Sequence, residues 1–149
     1  MEPQMLIDEA ISILKNQIDD IAIIACSGGI DSTVAAVMAN QAIGNLLHCV
    51  YVDTGFMRKG ETEEVREMLT DLGLNLKIVD ASDRFFENLE GVTEPEHKRR
   101  VIGEQFIRVF EEEQLNCGAK YLVQGTIAPD WIESGGGARD VIKSHHNVG

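Results

Sequence analysis

The sequence offers little that would staple a chain covalently or anchor it in lipid. Its three cysteines, Cys26, Cys49 and Cys117, are odd in number, far apart and without a CxxC pair, which argues against a disulfide framework or a cysteine-built zinc site. They are expected as small core residues in a reducing compartment. No stretch approaches the roughly 20 apolar residues needed to cross a bilayer. The first residues, Met1-Glu2-Pro3-Gln4-Met5, lack the basic region and apolar run of a secretory signal. A cytoplasmic protein with no membrane partner is the expectation. Basic side chains are scarce: 13 Lys and Arg face 25 Asp and Glu, a net charge of -12. That field repels a phosphate backbone, so nucleic acid is disfavoured as a partner. A small anion stays within reach, because local N–H groups and a few cations can hold it despite the global charge. Two familiar phosphate-binding patterns, GxxxxGK[ST] and GxGxxG, are also missing, which removes P-loop enzymes and ordinary dinucleotide folds.

What is present is one domain's worth of chain, 149 residues with 44% hydrophobic content, in which short apolar runs alternate with longer amphipathic stretches. That alternation predicts an α/β fold, a Rossmann-like parallel sheet with helices on both faces. Helices are expected over Leu6–Gln17, Asp31–Ile43, Glu61–Leu72 and Pro95–Leu115, with Gly44 and Gly73 as stops and Pro95 at a first turn. Strands are expected over Ile21–Cys26, Leu46–Val52, Leu74–Val79 and Tyr121–Gln124. The first of these is uninterruptedly apolar, as a strand covered on both faces must be. A polar stretch from Asp80 to Glu94 breaks the rhythm. Beyond Gly125 periodicity fails, and Glu133 to Asp140, with three consecutive glycines, is expected to be a mobile loop.

The chemistry concentrates where the first strand hands over to the second helix, at Ser27-Gly28-Gly29-Ile30-Asp31-Ser32. Helix N-termini present unpaired N–H groups and partial positive charge, and glycines let a backbone approach phosphate oxygens closely. The hydroxyls of Ser27, Ser32 and Thr33 are candidate extra donors. Asp31 would be repelled by bare phosphate unless a cation intervenes, and so implies Mg²⁺. A plain tight turn with Asp31 and Ser32 as helix caps is the alternative.

This loop resembles the SGGxDS loop of the N-type ATP pyrophosphatases, enzymes that cleave ATP between the α and β phosphates and hold the departing pyrophosphate. Four further segments narrow the resemblance to the GMP synthase family: Val52 to Arg58 (VDTGFMR), Pro95 to Gly103 (PEHKRRVIG), Gln124 to Ser134 (QGTIAPDWIES) and Ile142 to Gly149 (IKSHHNVG). They occur in the family's order and span the chain from about Asp20 to Gly149. The resemblance implies an adenine nucleotide alpha hydrolase-like fold and a reaction in which ATP adenylates the C2 oxygen of xanthosine monophosphate, releasing pyrophosphate, before ammonia displaces AMP to give GMP. ATP and Mg²⁺ are the implied cofactors. By the same resemblance, Ser27 to Thr33, Val52 and Gly125 bind ATP or pyrophosphate, with residues around Val52 and Phe56 bordering adenine. Asp31 and Lys143 are the implied catalytic pair, Asp31 also the metal ligand. Thr126, Asp130, Lys143, His145 and His146 are assigned to the substrate and to a lid over 133–149.

Several of these residues have two readings. Asp53 is either a loop-capping aspartate or a ligand residue at the carboxyl edge of the sheet. Lys98, Arg99 and Arg100 form a basic cluster that is either a solvated helix face or part of the site. Phe106 reads as core. His145 and His146 suggest a metal site, but no third ligand has supporting spacing. The chain shows no glutaminase region, and Cys26 lies in a core strand, so a separate glutaminase subunit is implied as ammonia source. The family's C-terminal dimerisation domain would begin after Gly149, and a homodimer of the full-length enzyme would form through it. The alternatives are a non-catalytic ATP-binding fragment and another N-type pyrophosphatase such as a tRNA-thiolating enzyme, against which the absent CxxC pairs and negative charge weigh.

Overall fold

A computed structural model of the chain describes residues 3–123 and the backbone of 142–144. The elements follow one another as α1 (Pro3–Gln17), β1 (Ala22–Ala25), α2 (Ile30–Ile43), a short 3-10 turn, β2 (Leu47–Asp53), α3 (Glu61–Asp71), β3 (Leu76–Asp80), α4 (Ser82–Leu89), α5 (Pro95–Cys117), β4 (Tyr121–Val123) and β5 (Ile142–Ser144). The strands form one sheet in the order β3-β2-β1-β4-β5. The first four are parallel, and β5 runs antiparallel to β4. The expected α/β fold with a parallel sheet is therefore present.

Side-chain alternation along each strand divides the interior in two. Ile24, Cys49, Tyr51 and Val123 point into one cluster with Leu14 of α1, the alanines of α2 and Val65 and Leu69 of α3. Ile23, Val50 and Val52 point into the other, with Phe85 of α4 and Val109 and Phe110 of α5. Helices thus cover both faces, which is why β1 and β2 are apolar at consecutive positions rather than at alternate ones. Four small residues of α2, Ala35, Ala36, Ala39 and Ala42, are buried and let it lie close between the sheet and α1. Cys26 and Cys49 are buried in the first cluster and Cys117 is half-buried; all three are free thiols, as expected of core residues. A hydrogen bond with the neighbouring Cys26 sulfur, and then burial, push the Cys49 thiol well above the usual range, so it stays protonated.

Two elements depart from the sequence reading. The polar stretch after Asp80 contains α4, a two-turn helix whose Phe85 is fully buried while Asp83, Glu87 and Asn88 face water. Its start is organised by Asp80, whose carboxylate accepts the Ser82 N–H at 3.1 Å and the Ser82 hydroxyl at 2.6 Å. One buried anchor in eight residues is too few to register as a period. The second is β5, a three-residue antiparallel edge strand within the segment assigned to the lid. Three residues cannot display an alternation. Elsewhere the limits move by one to three residues: α1 starts at Pro3, β3 starts at Leu76, and α5 runs to Cys117 before Gly118 ends it in the left-handed conformation. No helix among the described residues is long and apolar enough to cross a membrane.

Candidate functional site

Strand order decides where a ligand belongs. From β1 the chain steps to β2 and β3 on one side, and β4 then takes the other side of β1. At such a switch point the loops leaving neighbouring strands diverge and open a crevice at the carboxyl ends of the strands. The glycine loop leaves β1 there. Gly29 is the N-cap of α2 and offers no side-chain cap. As first-turn residues, Ile30, Asp31 and Ser32 have N–H groups without intrahelical acceptors, the arrangement that favours an anion.

The loop is braced from within. Ser32 is buried; its Oγ accepts the Ser27 N–H at 3.2 Å, lies 3.2 Å from Ser27 Oγ, and donates to the Gly29 carbonyl at 3.3 Å. The Thr33 hydroxyl donates to the same carbonyl at 2.7 Å, and the Gly29 N–H reaches Ser27 Oγ at 3.3 Å. The hydroxyls of Ser27, Ser32 and Thr33, candidate phosphate donors by sequence, are therefore engaged inside the loop. The donors left without a partner inside the loop are the backbone N–H groups of the first turn of α2. The Ile30 side chain is 81% exposed, so its contribution is its N–H, and Asp31 is exposed beside it. A cavity of about 330 Å³ opens beside the loop and α3, lined by Ser27, Gly28, Gly29, Glu61, Glu64 and Val65 among others.

A second cavity, about 430 Å³, opens at the ends of β2 and β3 beside Asp53, Arg58, Thr62, Asp80 and Ser82. Both Asp53 oxygens are occupied: Oδ1 accepts the Gly55 N–H at 2.9 Å and Oδ2 accepts the Thr62 hydroxyl at 3.3 Å. Of its two readings, the loop-capping one matches these bonds. Thr62 also lies 3.3 Å from the hydroxyl of buried Tyr51, so the β2–α3 loop is tied to both its flanking elements. Gly55 has φ +87 and a Cβ there would meet Ser82 Cβ at 2.8 Å, which requires glycine. The Ser82 hydroxyl, then its N–H, hold the exposed Asp80 carboxyl below the usual carboxylate range. A third, apolar cavity of about 580 Å³ lies between this loop, α4 and α5, where Phe56 and Phe86 meet edge to face at 5.1 Å and Lys98 forms part of the wall.

Val52 is 3% exposed and its side chain belongs to the α4–α5 cluster, leaving only backbone at the sheet edge. Phe106 packs against that cluster, in keeping with a core position. Lys98, Arg99 and Arg100 are exposed on the first turns of α5 and make no ion pair among the described residues. Lys143 lies in β5, in register with Leu122 of β4, and β4 is the neighbour of β1. Gly125, Thr126, Asp130, His145 and His146 lie outside the described residues. Among those described, no group of three or more His, Cys, Asp or Glu side chains is placed to hold a metal. Sequence reasoning passed over Thr62 and Val65, which looked like ordinary positions of an acidic helix; their partners, Asp53 and Gly28, are brought to them only by packing.

The sequence profile of the phosphoadenosine phosphosulfate reductase domain family matches residues 21–125, which include the glycine loop and all four parallel strands. The chain belongs to that family. It is also 59% identical over 149 residues to a subunit of the glutamine-hydrolyzing GMP synthase of Methanocaldococcus jannaschii, covering 99% of this chain and 47% of that protein. The corresponding subunits from Pyrococcus furiosus and Thermoplasma acidophilum are 57% and 52% identical over 98% and 100% of this chain, and 46% and 48% of their own lengths. The chain thus spans about half the length of the curated relatives it matches. Among solved structures, the NH3-dependent NAD synthetase of Campylobacter jejuni superposes with a TM-score of 0.71 over 84% of this chain and 57% of that one. The NMN synthetase of Francisella tularensis gives 0.67 over 82% and 53%. At 15% identity these likenesses speak for the fold.

Proposed function

We propose that this chain is the ATP-pyrophosphatase part of a GMP-forming ligase. The observation that carries the reading is the glycine loop: a first helical turn of unpaired N–H groups at the switch point, its own hydroxyls turned inward. The relatives' shared name supports the choice of reaction. In this reading the C2 oxygen of xanthosine monophosphate attacks the α-phosphorus of ATP, and the bond to the bridging oxygen breaks so that pyrophosphate leaves. Ammonia then adds at C2 and AMP departs with the former C2 oxygen, giving GMP. The loop's role is to receive negative charge as it develops on the departing pyrophosphate, with donors already in place and no reorganisation needed.

Mg²⁺ fits this loop on the chemistry of the donors. The ion is commonly held by one or two carboxylates together with substrate phosphates rather than by a full protein cage. Asp31, exposed on the first turn of α2, is the carboxylate that would hold it. When bound, the ion supplies charge neutralisation on the phosphates. Lys143 would add positive charge from the β5 side, and Gly125, Thr126, Asp130, His145 and His146 would complete the substrate side and a lid that excludes water. A separate glutaminase subunit would supply ammonia. The setting is the cytoplasm, and the longer protein is a homodimer through a domain beyond this segment.

The test is pyrophosphate release from ATP, with and without xanthosine monophosphate and ammonia, by this chain and by one extended to the relatives' length. The extended chain is expected to show nucleotide-dependent release, and the present chain to bind ATP with little or no synthesis. Absence of nucleotide-dependent release from both refutes the ligase reading. Substantial ammonia-dependent GMP formation by the present chain refutes the division of labour.

A further inference from the structure

The bonds inside the glycine loop set its shape, but none of them sets its position over the sheet. Among the described residues, the side chains of Ser27, Ser32 and Thr33 bond only to one another and to the loop backbone. A contact that does reach outside the loop is Gly28 against α3. Gly28 has φ +84, and a Cβ built on it would come 2.7 Å from Val65 Cγ2, 3.6 Å from Cγ1 and 3.7 Å from Val65 Cβ. The loop backbone is therefore seated directly on the Val65 side chain. Val65 is a firm seat. It is 7% exposed within the first core cluster, and a β-branched side chain in a helix is almost confined to one χ1 rotamer. Its helix is pinned as well, through the Thr62 hydroxyl on Asp53 and through Leu69, which is fully buried.

We infer that Val65 is a positioning residue for the pyrophosphate grip: its Cγ2 methyl is the stop on which Gly28 rests, fixing the height at which the N–H groups of the loop and the first turn of α2 meet an anion. This rests on the reading of the loop given above. The role follows from geometry. The Gly28 Cα has no side chain to hold it, and its left-handed conformation is favourable only to glycine. A stop at that point converts a floppy Gly-Gly pair into a preorganised donor array, and anion binding by preorganised donors is lost when they drift by fractions of an ångström. The same contact forms one wall of the 330 Å³ cavity, where Val65 lies beside Gly28 and Gly29.

The test is a double-mutant cycle on the full chain. Affinity for Mg·ATP and Mg·pyrophosphate is read by calorimetry, and the melting temperature of each variant is read alongside. Gly28→Ala is expected to weaken both ligands by on the order of tenfold or more, since the added methyl has nowhere to go. Val65→Ala is expected to weaken them several-fold by removing the stop. The double variant Gly28→Ala with Val65→Ala is expected to bind better than Gly28→Ala alone, because the methyls that met the new Cβ are gone. Val65→Thr keeps the branched shape but buries a hydroxyl. It is expected to melt lower than the wild type and yet retain its affinity.

Wild-type affinity in Val65→Ala, additive losses in the double variant, or affinity that follows melting temperature through Val65→Thr would each overturn the assignment. Should Gly28→Ala not fold, the contrast between Val65→Ala and Val65→Thr decides alone. A wild-type chain that binds neither ligand removes the reading of the loop itself, and the assignment with it, an outcome distinct from the variant results.

Discussion

Replacing Ser32 by alanine separates two roles that its position in the loop leaves superimposed. In the structure the hydroxyl is a brace: it is 6% exposed and engages Ser27 N–H, Ser27 Oγ and Gly29 O. All three distances are 3.2 to 3.3 Å, at the long end for hydrogen bonds, so each belongs near the lower end of the usual net contribution of roughly 0.5 to 1.5 kcal/mol. Ser27 is exposed, and water can take over part of what its N–H loses. The expected cost is therefore about 1 to 2 kcal/mol, which in a domain of this size lowers the melting temperature by roughly 2 to 8 °C. Urea unfolding gives the free energy, and calorimetric titration with Mg·ATP gives the affinity. Weaker binding is expected to accompany the lost stability, because a loosened loop presents its N–H groups less well. A variant of unchanged stability whose ATP affinity has collapsed would show that the hydroxyl serves the ligand directly, and would refute the inward-facing brace.

Phe85→Ala empties the fully buried anchor of α4 and is expected to cost about 3 to 5 kcal/mol by urea unfolding, whereas Phe86→Ala on the half-exposed neighbouring position should cost far less. Asp31→Ala is expected to abolish the Mg²⁺ dependence of ATP affinity; an unchanged Mg²⁺-dependent affinity would remove the metal assignment. Tyr121 donates its hydroxyl to Asp19 at 2.7 Å, and that bond holds the phenol above its ordinary pKa of about 10. Because the folded value is raised, the contribution is fully present below the unfolded pKa and is lost as pH rises through the folded one. Tyr121→Phe should therefore be less stable than wild type at neutral pH, with the gap closing above about pH 10. A gap that persists at alkaline pH would show that the bond does not carry it.

The parts legible in the sequence are those whose signal is local. Strands β1 and β2 stand out because both their faces are covered, so apolar residues run consecutively, as in Cys49 to Val52, and the glycine loop stands out because strand, Gly-Gly pair and helix adjoin in the chain. Pro95 marks the start of α5 for an equally local reason of backbone conformation, while the helix runs past the expected Leu115 to Cys117. The α4 helix was not legible, since its stability comes from Phe85 lying against α5 and the sheet rather than from a repeated pattern. Nor was β5, which is a strand by virtue of pairing with β4.

For the candidate site, the chain by itself showed which residues stand at the strand-to-helix junction, and the ordered segments from VDTGFMR to IKSHHNVG carry the resemblance on which the proposed chemistry rests. Tertiary structure alone decided which way the polar groups face. The hydroxyls of Ser32 and Thr33 turn inward to the Gly29 carbonyl, Asp53 caps its loop through Gly55 and Thr62, and Val52 is buried side-on in the core. It also decided that Val65, thirty-seven positions beyond Gly28, is what that glycine rests on. Backbone conformation and hydrophobic period act over a few residues and are written in order along the chain. The seating of one element on another depends on the register of the sheet and the placement of helices over it, which no local stretch encodes.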